Sequence, residues 1–246
     1  MPAVKQPDRP TTRLFLCQTP EKVGHLPVQY LGDSERIRLE RYRGQRYREF
    51  LQSRVLLREA LSAVLPGKRA AGDWQITERA EQPPLVGDVL EMGWHYSLSH
   101  SQNWIAVALS NSGPCGVDLE YHRARANLAQ LAAHWFHPDE ARQLASQSGK
   151  AQLTTFYRLW TLKEALIKSR NTSVFSGLLG GSRFVAIEKN EAVATPCASY
   201  VQLPGFPFSL AVVVRGSTAL HISQGYPLAN ARSAAPRITR YRVIEH

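Results

Sequence analysis

The chain has no long apolar run. No stretch approaches the ~18 consecutive apolar residues a bilayer-spanning helix needs, and the polar, proline-containing start from Met1 to Thr12 lacks the apolar segment of a signal peptide. Neither a membrane role nor export is expected, so the default expectation is a cytoplasmic protein. Cysteine is scarce too. Cys17, Cys115 and Cys197 are odd in number, widely spaced and without a C-x-x-C pair, which argues against a disulfide framework and leaves three reduced thiols. Acidic residues are outnumbered: 20 Asp+Glu stand against 30 Lys+Arg, a formal charge of +10 that favours an anionic partner such as nucleic acid, a phosphorylated small molecule or an acidic protein.

At 246 residues and 43% hydrophobic content the chain can bury an ordinary core, as one large domain or two small ones. Residues 1 to 12 read as a flexible leader and Leu14-Phe15-Leu16 as a short strand. Ser34 to Leu65 is helical in pattern, with Ser34 as N-cap, Gly44 as a break and Pro66-Gly67 as a stop. Eight arginines from Arg36 to Arg58 crowd this stretch, with only Glu40 and Glu49 among them; that density suits either a solvated helix face or an anion funnel. Strands follow at Trp74 to Thr77, His95 to Ser99 and Trp104 to Leu109, and Asn111 to Pro114 is a turn. Helices are expected over Leu128–Trp135, Pro138–Ser146 and Gln152–Ser169. Strands resume at Phe184–Ile187, Ser199–Leu203, Phe208–Val214 and Ala219–Ile222. Helix then strands, twice over, predicts an α+β chain of two similar halves, 1–113 and 114–224, with 225–246 as a basic tail.

Two motifs carry the chemistry. In Gly116-Val117-Asp118-Leu119-Glu120, read as a strand, Asp118 and Glu120 project to one face and Val117 and Leu119 to the other. In Trp160-Thr161-Leu162-Lys163-Glu164-Ala165-Leu166-Ile167-Lys168, read as a helix, Trp160, Glu164 and Lys168 are four apart and share a stripe. Three carboxylates and an ammonium offered to one point suit Mg²⁺ and a phosphate. Lys163 and Lys168 lie five residues apart, roughly 140° around a helix, so geometry alone does not give them one role. Arg54 and Arg58 share one face and Arg38 and Arg41 another, and either pair has the spacing to fork onto phosphates.

With Leu31-x-x-x-Glu35-Arg36-x-Arg38-x-x-Arg41-Tyr42, Ser53-Arg54-x-x-Leu57-Arg58, Tyr96-Ser97-Leu98-Ser99-His100-Ser101 and the two acidic motifs in that order, the chain resembles the Sfp-type 4'-phosphopantetheinyl transferases over about Leu31 to Phe208. The resemblance implies a pseudo-twofold monomer with coenzyme A in the cleft between two α/β halves. It implies Mg²⁺, or Mn²⁺ in its place, on Asp118, Glu120 and Glu164 and on the coenzyme A pyrophosphate. The implied activity is of the holo-[acyl-carrier-protein] synthase type. A serine of an acyl or peptidyl carrier protein, serving fatty-acid, polyketide or non-ribosomal peptide synthesis, attacks the β-phosphate, and 3',5'-ADP leaves. Glu164 would be both ligand and general base, Lys168 the group on the pyrophosphate, and Lys163 a second phosphate contact from the side. Ser99, His100 and one of the arginine pairs would hold coenzyme A, while Trp160 would anchor the core beneath the site.

The pattern departs from the family at two places. Glu81-Gln82-Pro83 stands where relatives commonly have Gly-Lys-Pro, so that either nucleotide contact there is weaker or Arg79 substitutes for the lysine, and Arg170-Asn171-Thr172-Ser173 replaces a Gly-Lys-Gly turn. Two alternatives to transfer remain. A nucleic-acid-binding basic protein would have no use for Asp118 or Glu164, and the sequence has no zinc-finger spacing or RNP-like aromatic motif to support it. A carrier-binding homologue without catalysis would not need to keep all three acids and both helix lysines.

Overall fold

Two long helices with two sheets between them organise the chain. A computed structural model describes residues 10–19, 27–65, 69–80, 82–173, 177–188, 196–216, 219–224 and 235–245. The elements run β1 (Thr11–Gln18), α1 (Asp33–Leu39), α2 (Gly44–Val64), β2 (Ile76–Thr77), β3 (Leu85–Val86), β4 (His95–Ser101), β5 (Trp104–Ser110) and β6 (Cys115–Tyr121). They continue with α3 (Leu128–Trp135), α4 (Pro138–Ala145), α5 (Gly149–Arg170), α6 (Leu178–Gly181), β7 (Ser182–Ala186), β8 (Cys197–Gln202), β9 (Phe208–Val214), β10 (Ala219–Gln224) and β11 (Arg237–Glu245). The α+β class expected from the sequence holds.

Strand periodicity builds the layers. In β1 and β5, Phe15, Cys17, Ile105 and Val107 face α2, packing on Leu57, Ala60 and Leu61. The alternate residues Leu14, Leu16, Ala106 and Ala108 face Val117 and Leu119 of β6 and Leu210 and Val212 of β9. The far face of β9, Ala211 and Val213, packs on Leu162, Ala165 and Leu166 of α5. The order is α2, a sheet β10-β1-β5-β4, a sheet β6-β9-β8-β11-β7, and α5. Both faces of β5 and of β9 are covered, which explains why these two strands are buried along their whole length.

Several boundaries differ from the sequence reading. Gly44, at φ +55, does break the arginine-rich helix. Gly32, not Ser34, caps α1, and the Ser34 hydroxyl instead bonds the Ile76 carbonyl and accepts from the Glu78 N–H. Thr11 and Thr12, assigned to the leader, begin β1; residues 1–9 and the expected stop at Pro66-Gly67 lie outside the described residues. The basic tail is corrected as well. Residues 225–234 lie outside the described part, but Arg237–Glu245 is a strand paired to both β8 and β7, because Tyr241 and Val243 alternate inward among outward arginines. The boundary near residue 113 is crossed by β10, which pairs in parallel with β1 and so belongs to the first sheet.

Candidate active site

Gly116 brings the two acidic motifs together. It shares a strand face with Asp118 and Glu120, and a Cβ on it would stand 1.9 Å from the Ala165 carbonyl oxygen and 2.6 Å from the Ser169 nitrogen. Only a hydrogen there lets α5 lie against β6. With Ala165 and Ser169 resting on Gly116, Glu164 and Lys168, each one position earlier on the helix, come beside the strand acids.

The electrostatics show how close these groups are. Burial, then Asp118 and Glu120, push Glu164 up to about 7 against the opposing pull of Lys168. Burial and then Asp118 also raise Glu120. Asp118 is 5% exposed; its Oδ1 accepts from Ser99 Oγ at 2.9 Å and Lys168 Nζ at 2.8 Å. Its Oδ2 is buried without a hydrogen-bond partner among the described residues. Among the described residues no group of three His, Cys, Asp or Glu side chains is close enough, as placed, to hold a metal ion. The donor chemistry still fits a hard divalent cation: Asp118 lies close enough to raise the proton affinity of Glu120 and Glu164, and one of its own buried oxygens is unpartnered among the described residues. Asp118, Glu120 and Glu164 are the residues that would hold it.

Beside the acids opens a cleft of about 300 Å³, lined by Arg38, Tyr42, Arg46, Arg54, His100 and Lys168, with Pro83 and Pro84 at its rim. Glu78 joins two of its arginines: Oε2 pairs with Arg38 at 2.8 Å, and Oε1 with Arg54 Nε at 2.5 Å. The Arg54 guanidinium also lies over the Phe50 ring. Arg46 lies over the Tyr42 ring, 5.0 Å from its centroid. His100 keeps 61% of its side chain exposed, yet the protein mass at the cleft lip lowers its pKa; Lys168, Arg46 and Arg54 add to this and Glu49 opposes it. Cationic groups held apart around a concave wall suit a ligand carrying several phosphates.

Of the residues proposed from the sequence, Asp118, Glu120, Glu164 and Lys168 converge, and Arg38, Arg54 and His100 line the cleft. Five do not take the expected place. Lys163, 1% exposed, is ion-paired with Glu140 at 2.8 Å and donates to the carbonyls of Leu179 and Ser182, on the side of α5 away from the acids. Arg58, also 1% exposed, makes a bidentate pair with Glu35 that ties α1 to α2. Arg41 is exposed and does not line the cleft. Ser99 is buried against Asp118, its hydroxyl already occupied. Arg79, the candidate to replace the missing lysine, donates twice to the Pro83 carbonyl and so shapes the rim loop instead. Trp160 stacks on Phe156 in a cluster beneath the helix, as expected of an anchor. The sequence reading missed Arg46 and Tyr42 as cleft residues. Their spacing of four was visible, but nothing local distinguished Arg46 from its seven neighbours.

Carboxylates of a kind that bind divalent cations, opening onto an arginine-lined cleft, suit chemistry on phosphate groups. The family profile "4'-phosphopantetheinyl transferase superfamily" matches residues 114–222, the span carrying all three acids and Lys168. The protein slr0495 of Synechocystis sp., provisionally named a 4'-phosphopantetheinyl transferase, is 32% identical over 171 residues, covering 69% of this chain and 68% of that protein. 4'-Phosphopantetheinyl transferase HetI of Nostoc sp. is 32% identical over 146 residues (58% of this chain, 61% of HetI). AcpT of Salmonella typhi is 36% identical over 132 residues (54% and 63%). The chain belongs to the 4'-phosphopantetheinyl transferase family.

Proposed function

We propose that this protein is an Sfp-type enzyme that moves the 4'-phosphopantetheine group of coenzyme A to a serine hydroxyl of an apo acyl or peptidyl carrier protein. The observation that carries the reading is the meeting of Asp118, Glu120, Glu164 and Lys168 at the edge of the arginine-lined cleft. In the reaction the serine oxygen bonds to the β-phosphorus, the pyrophosphate bridge breaks, and 3',5'-ADP departs with the bridging oxygen. Mg²⁺, or Mn²⁺ in its place, when bound supplies charge neutralisation on the pyrophosphate. Glu164, raised to about 7, is suited to take the serine proton near neutral pH. Lys168 reaches both the acids and the cleft, so it is placed to steady the charge left on the departing phosphate. Arg38, Arg46, Arg54 and His100 hold the phosphates of coenzyme A. Both halves of one chain contribute to the site, which suits a monomer working in the cytoplasm.

The test is incubation with coenzyme A, Mg²⁺ and a panel of apo carrier proteins, read by mass. A carrier should gain one phosphopantetheine. Asp118→Ala and Glu164→Ala should each lose at least about 100-fold in rate, the scale of removing one electrostatic stabiliser. EDTA should stop turnover and Mg²⁺ restore it. Full activity in either variant refutes the acid cluster as the site. A carrier that binds but is never modified favours the non-catalytic reading.

A further inference from the structure

The two sheets meet along β4 and β6, and what joins them is side chain, not main chain. The N–H groups of Val117, Leu119 and Tyr121 donate to the hydroxyls of Ser97, Ser99 and Ser101 at 3.0, 3.2 and 3.0 Å. The pairs advance together, so the strands run side by side in the same direction, with serines of one strand taking the N–H groups of the other. Those N–H groups sit on an otherwise unpaired edge of a buried strand, where an orphaned donor is costly.

Two of the three serines do more. A hydroxyl has one proton and two lone pairs. Ser99 uses all three: it accepts from Leu119 N and from Lys168 Nζ at 3.1 Å, and donates to Asp118 Oδ1 at 2.9 Å. β4, β6 and α5 thus converge on one oxygen. Lys168 and Ser99 both bond Oδ1, so Oδ2 remains the unpartnered atom of the carboxylate. Ser101 repeats the arrangement one step along, accepting from Tyr121 N and donating to Glu120 Oε2 at 3.3 Å. Ser97 accepts from Val117 N and serves neither acid.

We propose that Ser99 and Ser101 are positioning residues that fix the two strand carboxylates for a divalent cation, each holding one oxygen so that the other stays available. The proposal rests on the metal reading above. Neither serine needs to touch substrate, and the saturated Ser99 hydroxyl has no capacity left for a phosphate. Ser97 supplies an internal comparison, because it makes the same seam bond without an acid.

The experiment titrates Mn²⁺ into the full chain, following free Mn²⁺ by electron paramagnetic resonance, with thermal unfolding measured in parallel. Ser99→Ala and Ser101→Ala should weaken Mn²⁺ binding by about 10- to 100-fold, the range for loss of a hydrogen bond to a metal ligand. Ser97→Ala should lower the unfolding temperature to a similar extent while leaving Mn²⁺ affinity unchanged. Ser99→Thr, which keeps the hydroxyl, should restore affinity. Wild-type affinity in a folded Ser99→Ala, or equal weakening by Ser97→Ala, overturns the proposal. Should Ser99→Ala not fold, Ser101→Ala against Ser97→Ala decides by the same criterion. No Mn²⁺ uptake by the unsubstituted chain is a different failure, since it refutes the metal reading itself.

Discussion

Lys163 and Lys168 lie on one helix and have opposite fates. Lys163 is enclosed with Glu140, and burial lowers its pKa while that carboxylate opposes the shift. Lys163→Met should strand Glu140 in the interior and cost about 3–5 kcal/mol of stability, measured by denaturant unfolding. Lys168→Met should keep the fold and lose transfer. Their spacing on the helix was legible, but which side is buried was not, since Glu140 sits on a different helix and gives no local sign. The same holds for Arg58, whose pairing with Glu35 reverses its expected role. Glu164 gives a pH prediction. Its pKa is about 7 in the folded protein against 4.5 as the ordinary value. Between those limits the folded state keeps a proton that the unfolded state has released, so stability is highest at the acid end and falls as pH rises through the window. In chelator-treated protein the unfolding temperature should therefore decline between about pH 5 and 7 from this group, and Glu164→Gln should flatten that decline. An unchanged slope in Glu164→Gln would place the strain on other carboxylates.

At the scale of elements, the site depends on how closely α5 approaches β6. Gly116→Ala would force at least one of them to move, with a cost of about 1–3 kcal/mol or more from overpacking. Transfer activity should fall further than stability alone accounts for, because Glu164 and Lys168 ride on the displaced helix; normal activity with normal stability would show that the contact is slack. The alternation at Gly116, Asp118 and Glu120 and the stripe at Glu164 and Lys168 were both readable in the sequence. That one would rest on the other was not, because a helix crossing is a tertiary fact without a local pattern. β11 was missed for a different reason. In Arg237–Glu245 the period-two pattern is present, but the arginines between the inward residues made the segment read as solvated.

At the scale of the molecule, the net charge of +10 is less of a free surface than its count suggests. Arg38, Arg54 and Arg58 are held by Glu78 and Glu35, leaving Arg46 as the least encumbered guanidinium facing the cleft. Most of the α+β order of helices and strands was legible, because the longer strands alternate or are apolar throughout; the two-residue β3, the single-turn α6 and β11 were not. The division into halves was not, because parallel pairing of distant strands depends on the whole topology. Residues 1–113 expressed alone should fail to give a cooperatively folded protein, because β1 then lacks β10 and β4 lacks the strand whose N–H groups its serines accept. A sharp thermal transition from that fragment would contradict this.

The pairing of Thr11 with Ala219 also sets a schedule for synthesis. At about 5–20 residues per second, β1 waits on the order of 10–40 s after its own synthesis for β10 to be made. Throughout that interval one edge of β1 is open to any other extended chain. The hazard for this protein is therefore greatest before β10 is made, and a chaperone that shields nascent chains should raise its yield more than one that acts on the folded protein.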